Sequence, residues 1–185
     1  MRNWHRCLMF VAALGLSAEA QAQSALTYYD CDTSAGHFSS VLLDLGEGQT
    51  SISGVVRLVR AFRNRQWSPI AGVAIRDGRN EARLSLSATR VVPEALRTKD
   101  DAVIAGVIFN SLMSAGPLDA SKAGTPISEI ELGSSVAFTL TFNGNKVDYQ
   151  IGGQSGSINI ELVGKLEVML SCSTGQFKFE QLKQQ

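Results

Sequence analysis

The sequence predicts an all-β protein, built as a sandwich or barrel of antiparallel strands. Three observations support this fold class. Apolar and polar residues alternate along much of the chain, which is the period of half-buried strands. Glycine-rich turn signals recur roughly every 8–15 residues, as in sandwiches and barrels. Helix signals are few, and no internal repeat or linker divides the chain.

The first 22 residues have the pattern of a secretory signal peptide. Arg2 and Arg6 form a positive start, Cys7–Leu16 is an apolar stretch, and Ala20-Gln21-Ala22 fits the small-residue rule for cleavage. The apolar stretch of about ten residues is too short to span a bilayer, and no later apolar run is long enough. We therefore predict cleavage after residue 22, one β-sandwich domain over residues 23–185, and a periplasmic or extracellular location in a bacterium.

The net charge of the chain argues against strongly negative partners. The whole chain has 17 basic and 17 acidic residues, and the leader takes away Arg2, Arg6 and Glu19. The remaining 15 basic (17 less two) and 16 acidic residues (17 less one) leave a net charge near −1. A chain so close to neutrality has no strong field to attract nucleic acid or an acidic membrane, so neither is predicted as a partner.

Two cysteines, Cys31 and Cys172, remain after the leader and its Cys7 are removed. In an oxidising compartment such a pair usually forms a disulfide, which here would join the first strand to one of the last. Two separate buried thiols are the alternative. A metal site is a poor explanation, because neither cysteine belongs to a CxxC pair and His37 is the one histidine left. We predict no metal and no cofactor.

The first half of the chain shows three alternating segments. Ser51–Phe62 predicts a long strand, the chain turns near Arg63–Arg65, and Gln66–Asp77 returns as a second strand. Ala82–Ala88 alternates apolar and polar residues in the same way. Ala102–Phe109 is apolar on both faces, so it is predicted to be a central strand covered on both sides. Helical turns are expected only within Pro93–Ala102 and Pro117–Gly124.

The second half contains a clear hairpin. Ser135–Phe142 alternates, Asn143-Gly144-Asn145 tolerates the positive φ of a type I′ turn, and Lys146–Gly152 alternates again. Further strands are predicted at "SINIELVG", "KLEVMLSCS" and "GQFKFEQLK", and in the last of these Phe177 and Phe179 face inward. These patterns predict several antiparallel strands late in the chain.

A family resemblance covers roughly residues 51–184. The segments "SVAFTLTFNGNKVDYQIGG" and "GKLEVMLSCSTGQFKFEQLKQ" resemble the closing part of a concanavalin A-like lectin/glucanase (laminin-G-like) jelly roll. "GVVRLVRAFRNRQWSPIAGVAI" would supply earlier paired strands. The resemblance implies a jelly-roll β-sandwich of two antiparallel sheets with about six or seven strands each. It implies carbohydrate binding or glycoside hydrolysis only as a class, since one fold hosts many functions.

Three residues are candidates for ligand binding: Trp67, Arg65 and Tyr29. An indole stacks on a sugar ring, and a guanidinium or phenol supplies hydrogen bonds. For Trp67 the competing interpretation is a partly buried core residue, because Trp67, Ala71 and Val73 share a face if a strand begins there. For Tyr28 and Tyr29 packing and stacking remain equally open. Arg57, Arg60, Arg63 and Arg65 form a basic cluster, but Arg57 and Arg60 are expected on opposite faces, which disfavours one anion site.

Carboxylates and histidine offer little support for catalysis. A glycosidase needs two carboxyl groups flanking the bond, and the glucanases of the resembled family use an acidic run on a central strand. "ISEIELG" provides only Glu129 and Glu131, two acids instead of three. Calcium would need Asp-rich loops such as "YYDCD" or "RDGRN", and the second is more simply a tight turn.

We predict no catalytic residue. The predicted function is a secreted, non-catalytic binding or structural module with a glycan or another extracellular protein as partner. A glycoside hydrolase and a surface or matrix assembly protein are the alternatives.

Overall fold

The protein is a sandwich of two six-stranded antiparallel sheets, seen in a computed structural model that describes residues 26–90, 102–118 and 124–185. Sheet A has the order β1-β12-β3-β8-β9-β10, and sheet B has the order β2-β11-β4-β5-β6-β7. The strands are β1 (Tyr28–Asp32), β2 (Phe38–Asp44), β3 (Ser51–Ala61), β4 (Ile70–Arg76), β5 (Asn80–Arg90), β6 (Ile108–Pro117), β7 (Thr125–Glu131), β8 (Ser135–Phe142), β9 (Lys146–Ile151), β10 (Gln154–Asn159), β11 (Glu167–Ser173) and β12 (Gly175–Gln184).

This architecture confirms the predicted all-β jelly-roll sandwich, and no helix occurs in the three described ranges. Within those ranges no helix is long and apolar enough to cross a membrane. The predicted leader lies outside the described residues, as does most of each helical turn expected at Pro93–Ala102 and Pro117–Gly124.

The core lies between the two sheets and is built from the inward face of each strand. Alternation in β8 buries Phe138 and Leu140, and alternation in β12 buries Phe177 and Phe179. Phe109 of sheet B meets Phe177 of sheet A edge to face, with ring centroids 5.9 Å apart. Such a pair adds about 1 kcal/mol to the apolar burial, so it helps to hold the sheets together.

The predicted disulfide between Cys31 and Cys172 is present. Cys31 lies in β1 of sheet A and Cys172 in β11 of sheet B, so the bond crosses the core. Both cysteines are almost completely buried. The bond therefore joins not only the two ends of the chain but also the two layers of the sandwich.

Three strand predictions need correction. Gln66–Asp77 does not pair with the strand before it: β4 begins at Ile70 and lies in sheet B between β11 and β5, whereas β3 lies in sheet A. The first six residues of Ala102–Phe109 are irregular, and β6 begins only at Ile108. β10 spans Gln154–Asn159, which is earlier than the segment predicted. In each case the local sequence pattern did not contain the partner strand, and strand pairing decided the secondary structure.

The β8–β9 hairpin is confirmed, with a different turn. Asn143 donates its backbone N–H to the carbonyl oxygen of Lys146 at 2.9 Å, and Gly144 has φ +70°. A type I′ turn needs positive φ at both central residues, but Asn145 has none. Asn145 donates its backbone N–H to the carbonyl oxygen of Asn143 at 2.8 Å, which together with the positive φ of Gly144 is the pattern of a γ-turn that glycine adopts without steric cost.

Candidate functional site

One end of the sandwich, here called the disulfide end, consists of the loops Thr33–His37 and Phe62–Pro69 and the turn at Thr174. Backbone hydrogen bonds join these segments. Thr33 donates to Gly175 at 2.9 Å, Phe62 donates to Thr174 at 3.0 Å, and Thr174 donates to His37 at 3.2 Å. Cys31 and Cys172 lie two residues before Thr33 and Thr174, so the disulfide anchors the base of this end.

Backbone geometry at this turn depends on two residues, Thr174 and the glycine that follows it. Thr174 has φ +57°, a left-handed conformation uncommon for residues other than glycine, and its hydroxyl accepts the N–H of Gly36 at 3.3 Å. A Cβ on Gly175 would lie 2.5 Å from the carbonyl oxygen of Arg60, so a larger residue there would push β3 away. The turn is thus packed closely enough to hold the loops in one arrangement.

Trp67 lies on the Phe62–Pro69 loop and is 53% exposed. The expectation that it begins a strand is wrong, because β4 starts three residues later. Asn64 fixes the loop: its Oδ1 accepts the backbone N–H groups of Gln66 at 2.9 Å and Trp67 at 3.0 Å. The Asn64 hydrogen bonds therefore fix the backbone of a loop that leaves about half of the Trp67 side chain in contact with solvent.

Gly36 brings the two loops into contact. It has φ +77°, and a Cβ built on it would lie 2.9 Å from Asn64 Nδ2 and 3.8 Å from Trp67 Cδ1. Only a residue without a side chain allows this approach. The exposed side chains of Arg65 and Gln66 adjoin Trp67 in the chain, and that of His37 adjoins Gly36. The arrangement combines a flat apolar surface with planar hydrogen-bonding groups.

Tyr29 occupies a different place from Trp67. Its ring stacks on Phe179 with centroids 5.9 Å apart, and its hydroxyl bonds with Ser39 Oγ at 2.8 Å. It packs between β1 and β2, whereas Tyr28 is 45% exposed on the edge of sheet A. The structure thus decides between packing and exposure for these two tyrosines, and it does not bring Tyr29 to the Trp67 loop.

The basic cluster is arranged differently from the prediction. Arg57 pairs in register with Lys178 and Arg60 with Gln176, both on the outer face, because the register shifts between Gln176 and Phe177. The expectation of opposite faces is therefore wrong. Arg60 is nevertheless engaged, with Asp32 at 2.9 Å and the Phe62 ring at 5.5 Å, while Arg57 donates to Ser135. These partners neutralise or occupy both guanidinium groups, so they do not form a shared anion site.

The acidic residues considered as catalytic candidates lie apart from those considered as calcium-binding candidates. Glu129 and Glu131 are exposed on the edge strand β7, and their neighbours in register on β6 are Asn110 and Ile108. No carboxylate faces them across this pair of strands. Asp30 accepts Gln176 Nε2 and lies 3.7 Å from Lys178 Nζ. In the described ranges no three His, Cys, Asp or Glu residues are grouped to hold a metal ion.

A second polar surface was not found from the sequence. It is a shallow groove of about 420 Å³ on the outer face of β8, β9 and β10. Asp148 lies within it, and hydrogen bonds from Lys146 and then Asn143 hold the pKa of this carboxyl below its usual value despite slight desolvation. The alternating polar residues opposite the buried ones were the available signal. The groove is lined by Thr139, Thr141, Asp148, Tyr149, Gln150, Ser155, Gly156 and Ser157.

The outer face of sheet B carries a band of opposite charges. Arg76 Nε lies 3.7 Å from Glu167 and Arg83 lies 3.1 Å from Glu81. Beneath these long side chains lie small residues, among them Gly72, where a Cβ would be 3.8 Å from Arg83 Cδ. Each of these two arginines is therefore paired with a carboxylate on the described part of this face.

Comparison with known proteins supports the fold and not a family. No family model matches the chain, and no curated protein matches it. An alginate lyase from Alteromonas sp. 272 superposes with a TM-score of 0.50 at 7% identity, covering 79% of this chain and 77% of that one. A structure from work on endo-acting O-glycanases of the human gut microbiota has a TM-score of 0.50 at 7% identity, covering 85% and 78%.

Carbohydrate-binding proteins are also among the similar solved structures, with lower scores. A carbohydrate-binding module from Bacillus subtilis has a TM-score of 0.43 at 9% identity and covers 86% of this chain and 95% of that one. The two structures with a TM-score of 0.50 support a shared sandwich fold alone, and the chemistry of this chain must be argued from its own residues.

Proposed function

We propose that this protein is an exported, non-catalytic carbohydrate-binding module whose binding platform is the indole of Trp67. The observation that carries the proposal is the placement of this ring, 53% exposed on a loop whose backbone is held by Asn64. A ligand that covers the indole would remove its apolar surface from water, which is favourable, and the flat C–H face of a pyranose matches the indole in shape.

Pre-organisation supports binding at this loop. The Asn64 hydrogen bonds, the close contact with Gly36 and the disulfide below hold the loop before a ligand arrives. A ligand then pays little entropy to order the site, so even a small contact area yields measurable affinity. Gln66, Arg65 and His37 add amide, guanidinium and imidazole groups suited to sugar hydroxyls.

The surroundings favour binding over catalysis. Asp32, close along the chain to the disulfide end, is paired with Arg60 at 2.9 Å, and Glu129 and Glu131 lie together on one strand without a facing acid. Glycoside hydrolysis needs two carboxyl groups on opposite sides of a bond.

Two solved structures of the same fold come from studies of enzymes acting on alginate and mucin glycans, which makes a glycan the first ligand class to test.

Export is the second part of the proposal. The sequence of residues 1–22 has the order of features of a signal peptide, and the disulfide requires an oxidising compartment to persist. A periplasmic or extracellular module would meet polysaccharides there. Mass spectrometry of the protein recovered from a bacterial periplasm should find Ser24 near the new N-terminus, with Gln23 first, and an intact Met1 would contradict export by this signal.

The test of binding is a glycan array probed with the disulfide-bonded protein and three variants. Trp67→Ala should weaken every hit about tenfold or more, as for a buried aromatic anchor. Tyr28→Ala removes another exposed aromatic, 45% exposed, and should change nothing. Gln150→Ala alters the groove on sheet A. An array without hits would overturn the glycan proposal, and hits lost in Gln150→Ala but kept in Trp67→Ala would move the site to that groove.

A further inference from the structure

Among the strands that the structure describes, four lie at sheet edges, and one of these four lacks the usual protection against pairing. An edge strand presents unpaired N–H and C=O groups that another strand can join, so natural edges carry charges, prolines or bulges. β1 carries Asp30 and Asp32, and β7 carries Pro126 and two glutamates beside a register shift. β10 is short, polar and interrupted by Gly156. β2 has none of these features between Phe38 and Leu43.

β2 instead exposes large apolar side chains. Its sequence is "FSSVLLD", and Phe38 is 57% and Leu42 is 52% exposed on the outer face of sheet B. Ser40 lies between them on the same face. Two large apolar side chains, four residues apart, therefore border an open sheet edge and expose surface that pairing would remove from water.

The backbone groups available at this edge can be assigned. The backbone N–H of Leu45 donates to the carbonyl oxygen of Leu166 at 3.1 Å, and the backbone N–H of Thr174 donates to the carbonyl oxygen of His37 at 3.2 Å. The odd-numbered residues of β2 therefore direct their backbone N–H and C=O groups toward β11. Because backbone groups alternate sides along a strand, those of Phe38, Ser40 and Leu42 point away from β11. In the described part of the chain they have no hydrogen-bonding partner. The free edge thus offers three consecutive donor–acceptor sets.

We propose that β2 pairs with β2 of a second copy of this chain, in antiparallel orientation around a two-fold axis at Ser40. The two copies of sheet B then form one continuous sheet, and each Phe38 lies opposite Leu42 of the other copy. Roughly six backbone hydrogen bonds form, two for each of three facing pairs. The contact is the same patch on both subunits, as in most homodimers.

Charge and hydrogen bonding select this register and this occupant. Shifting the axis to Val41 would set Phe38 against the carboxylate of Asp44. It would also need the Asp44 carbonyl oxygen, which already accepts Gln184 Nε2 at 3.4 Å. With the axis at Ser40, no charged residue faces another along the paired segment. The segment Phe38–Leu43 carries no charge, and its bulky residues Phe38 and Leu42 lie symmetrically about Ser40, so it is complementary to itself.

Sedimentation equilibrium of the disulfide-bonded protein tests the proposal. We expect a reversible increase from the monomer mass to twice that mass with concentration. Leu42→Lys places a charge at the interface, and Ser40→Pro removes an outward N–H where an edge strand tolerates proline. Both should remain monomeric where the parent is dimeric. Val163→Lys makes the same kind of change at another exposed apolar residue, 68% exposed, and should leave the dimer intact.

Amide hydrogen exchange locates the contact and separates it from other occupants. The amides of Phe38, Ser40 and Leu42 should exchange at least about tenfold more slowly in the dimer than in the Leu42→Lys monomer. The amides of Ser39, Val41 and Leu43, which face β11, should be protected in both. A parent that is monomeric up to about 1 mM, or a dimer unchanged by Leu42→Lys, would overturn the proposal. Protection of β2 only after adding another protein would assign the edge to a foreign strand instead.

This inference and the glycan proposal fail separately. Leu42→Lys should keep the glycan hits of the parent, and Trp67→Ala should keep its dimer. Far-ultraviolet circular dichroism and thermal unfolding of each variant show whether it has folded, so the result with Leu42→Lys stands even where Ser40→Pro does not fold.

Discussion

The two ends of the sandwich are fastened in different ways. At the disulfide end a covalent bond joins β1 to β11, and hydroxyls of Thr33 and Thr174 complete the hydrogen bonds of the loops. At the opposite end the carboxylate of Asp77 joins the chain segments by hydrogen bonds. Its Oδ1 accepts the N–H groups of Arg79 and Asn80 at 2.8 and 2.7 Å, and its Oδ2 accepts that of Val163 at 2.8 Å.

The comparison shows two solutions to the same problem, which is to connect one layer to a distant segment of chain. The Asp77 carboxylate joins the β4–β5 turn to the connection between β10 and β11. Its strength depends on ionisation, whereas the disulfide does not titrate. The end with the covalent bond is also the one that holds Trp67 in solvent. Greater constraint therefore coincides with the surface proposed to bind ligand.

Removing the disulfide should have the largest effect on stability. The bond closes a loop between residues 141 apart in sequence, worth about 5 kcal/mol in the chain-entropy model and typically 2–5 kcal/mol in practice. We expect the double variant Cys31→Ala, Cys172→Ala to have a free energy of unfolding about 2–5 kcal/mol lower than that of the parent, measured by urea titration. If the disulfide also anchors the Trp67 loop, glycan affinity should fall as well. A loss under about 1 kcal/mol would contradict the structural role given to the bond.

Replacing Asp77 should have an intermediate effect at the opposite end. Asp77→Ala leaves three backbone N–H donors without their acceptor, which costs about 1–2 kcal/mol because water replaces part of what is lost. Urea unfolding measures this cost. Glycan binding should be unchanged, since Trp67 lies at the other end. A variant that loses binding without losing stability would show that the two ends are coupled.

Acid should produce the smallest effect, and Asp77 should account for a measurable part of it. Partial burial tends to raise the pKa of Asp77, but backbone N–H donors from Asn80, Val163 and Arg79 together lower it below its usual value near 3.8. A depressed folded-state pKa contributes stability above about pH 4, which is lost as the pH falls through the folded value. We expect unfolding free energies measured from pH 5 to pH 2 to fall more steeply for the parent than for Asp77→Asn. Equal slopes would contradict this assignment.

Elements with strong alternation were predictable because their pattern is local. Ser135–Phe142, Lys146–Ile151 and the Phe177/Phe179 strand are where the alternation places them, with the expected faces buried. The disulfide followed from having two cysteines left for an oxidising compartment. These conclusions need only the period of a strand and a count of residues, so they hold whatever the partners of each strand are.

Predictions that depended on pairing failed. Gln66–Asp77 has the apolar content of a strand throughout, yet Trp67 lies on a loop because Asn64 caps its backbone and pairing with β11 begins only at Ile70. Arg57 and Arg60 share a face because Val59 is an extra residue of β3 where its register with β12 shifts, and β12 lies more than a hundred residues later in the chain. No window of local sequence contains the strand that decides such a shift.

By itself the sequence determined an all-β fold of alternating strands and offered one cysteine pair to join its first strand to one of its last, because side-chain period and cysteine count are properties of the chain alone. Only the tertiary structure decided that Trp67 is exposed while Tyr29 is packed, and that β2 is left with an open apolar edge. The physical reason is that exposure belongs to an arrangement of strands. A ring or a backbone group is buried or free according to which distant segment pairs beside it, and that choice is made by the free energy of the whole core.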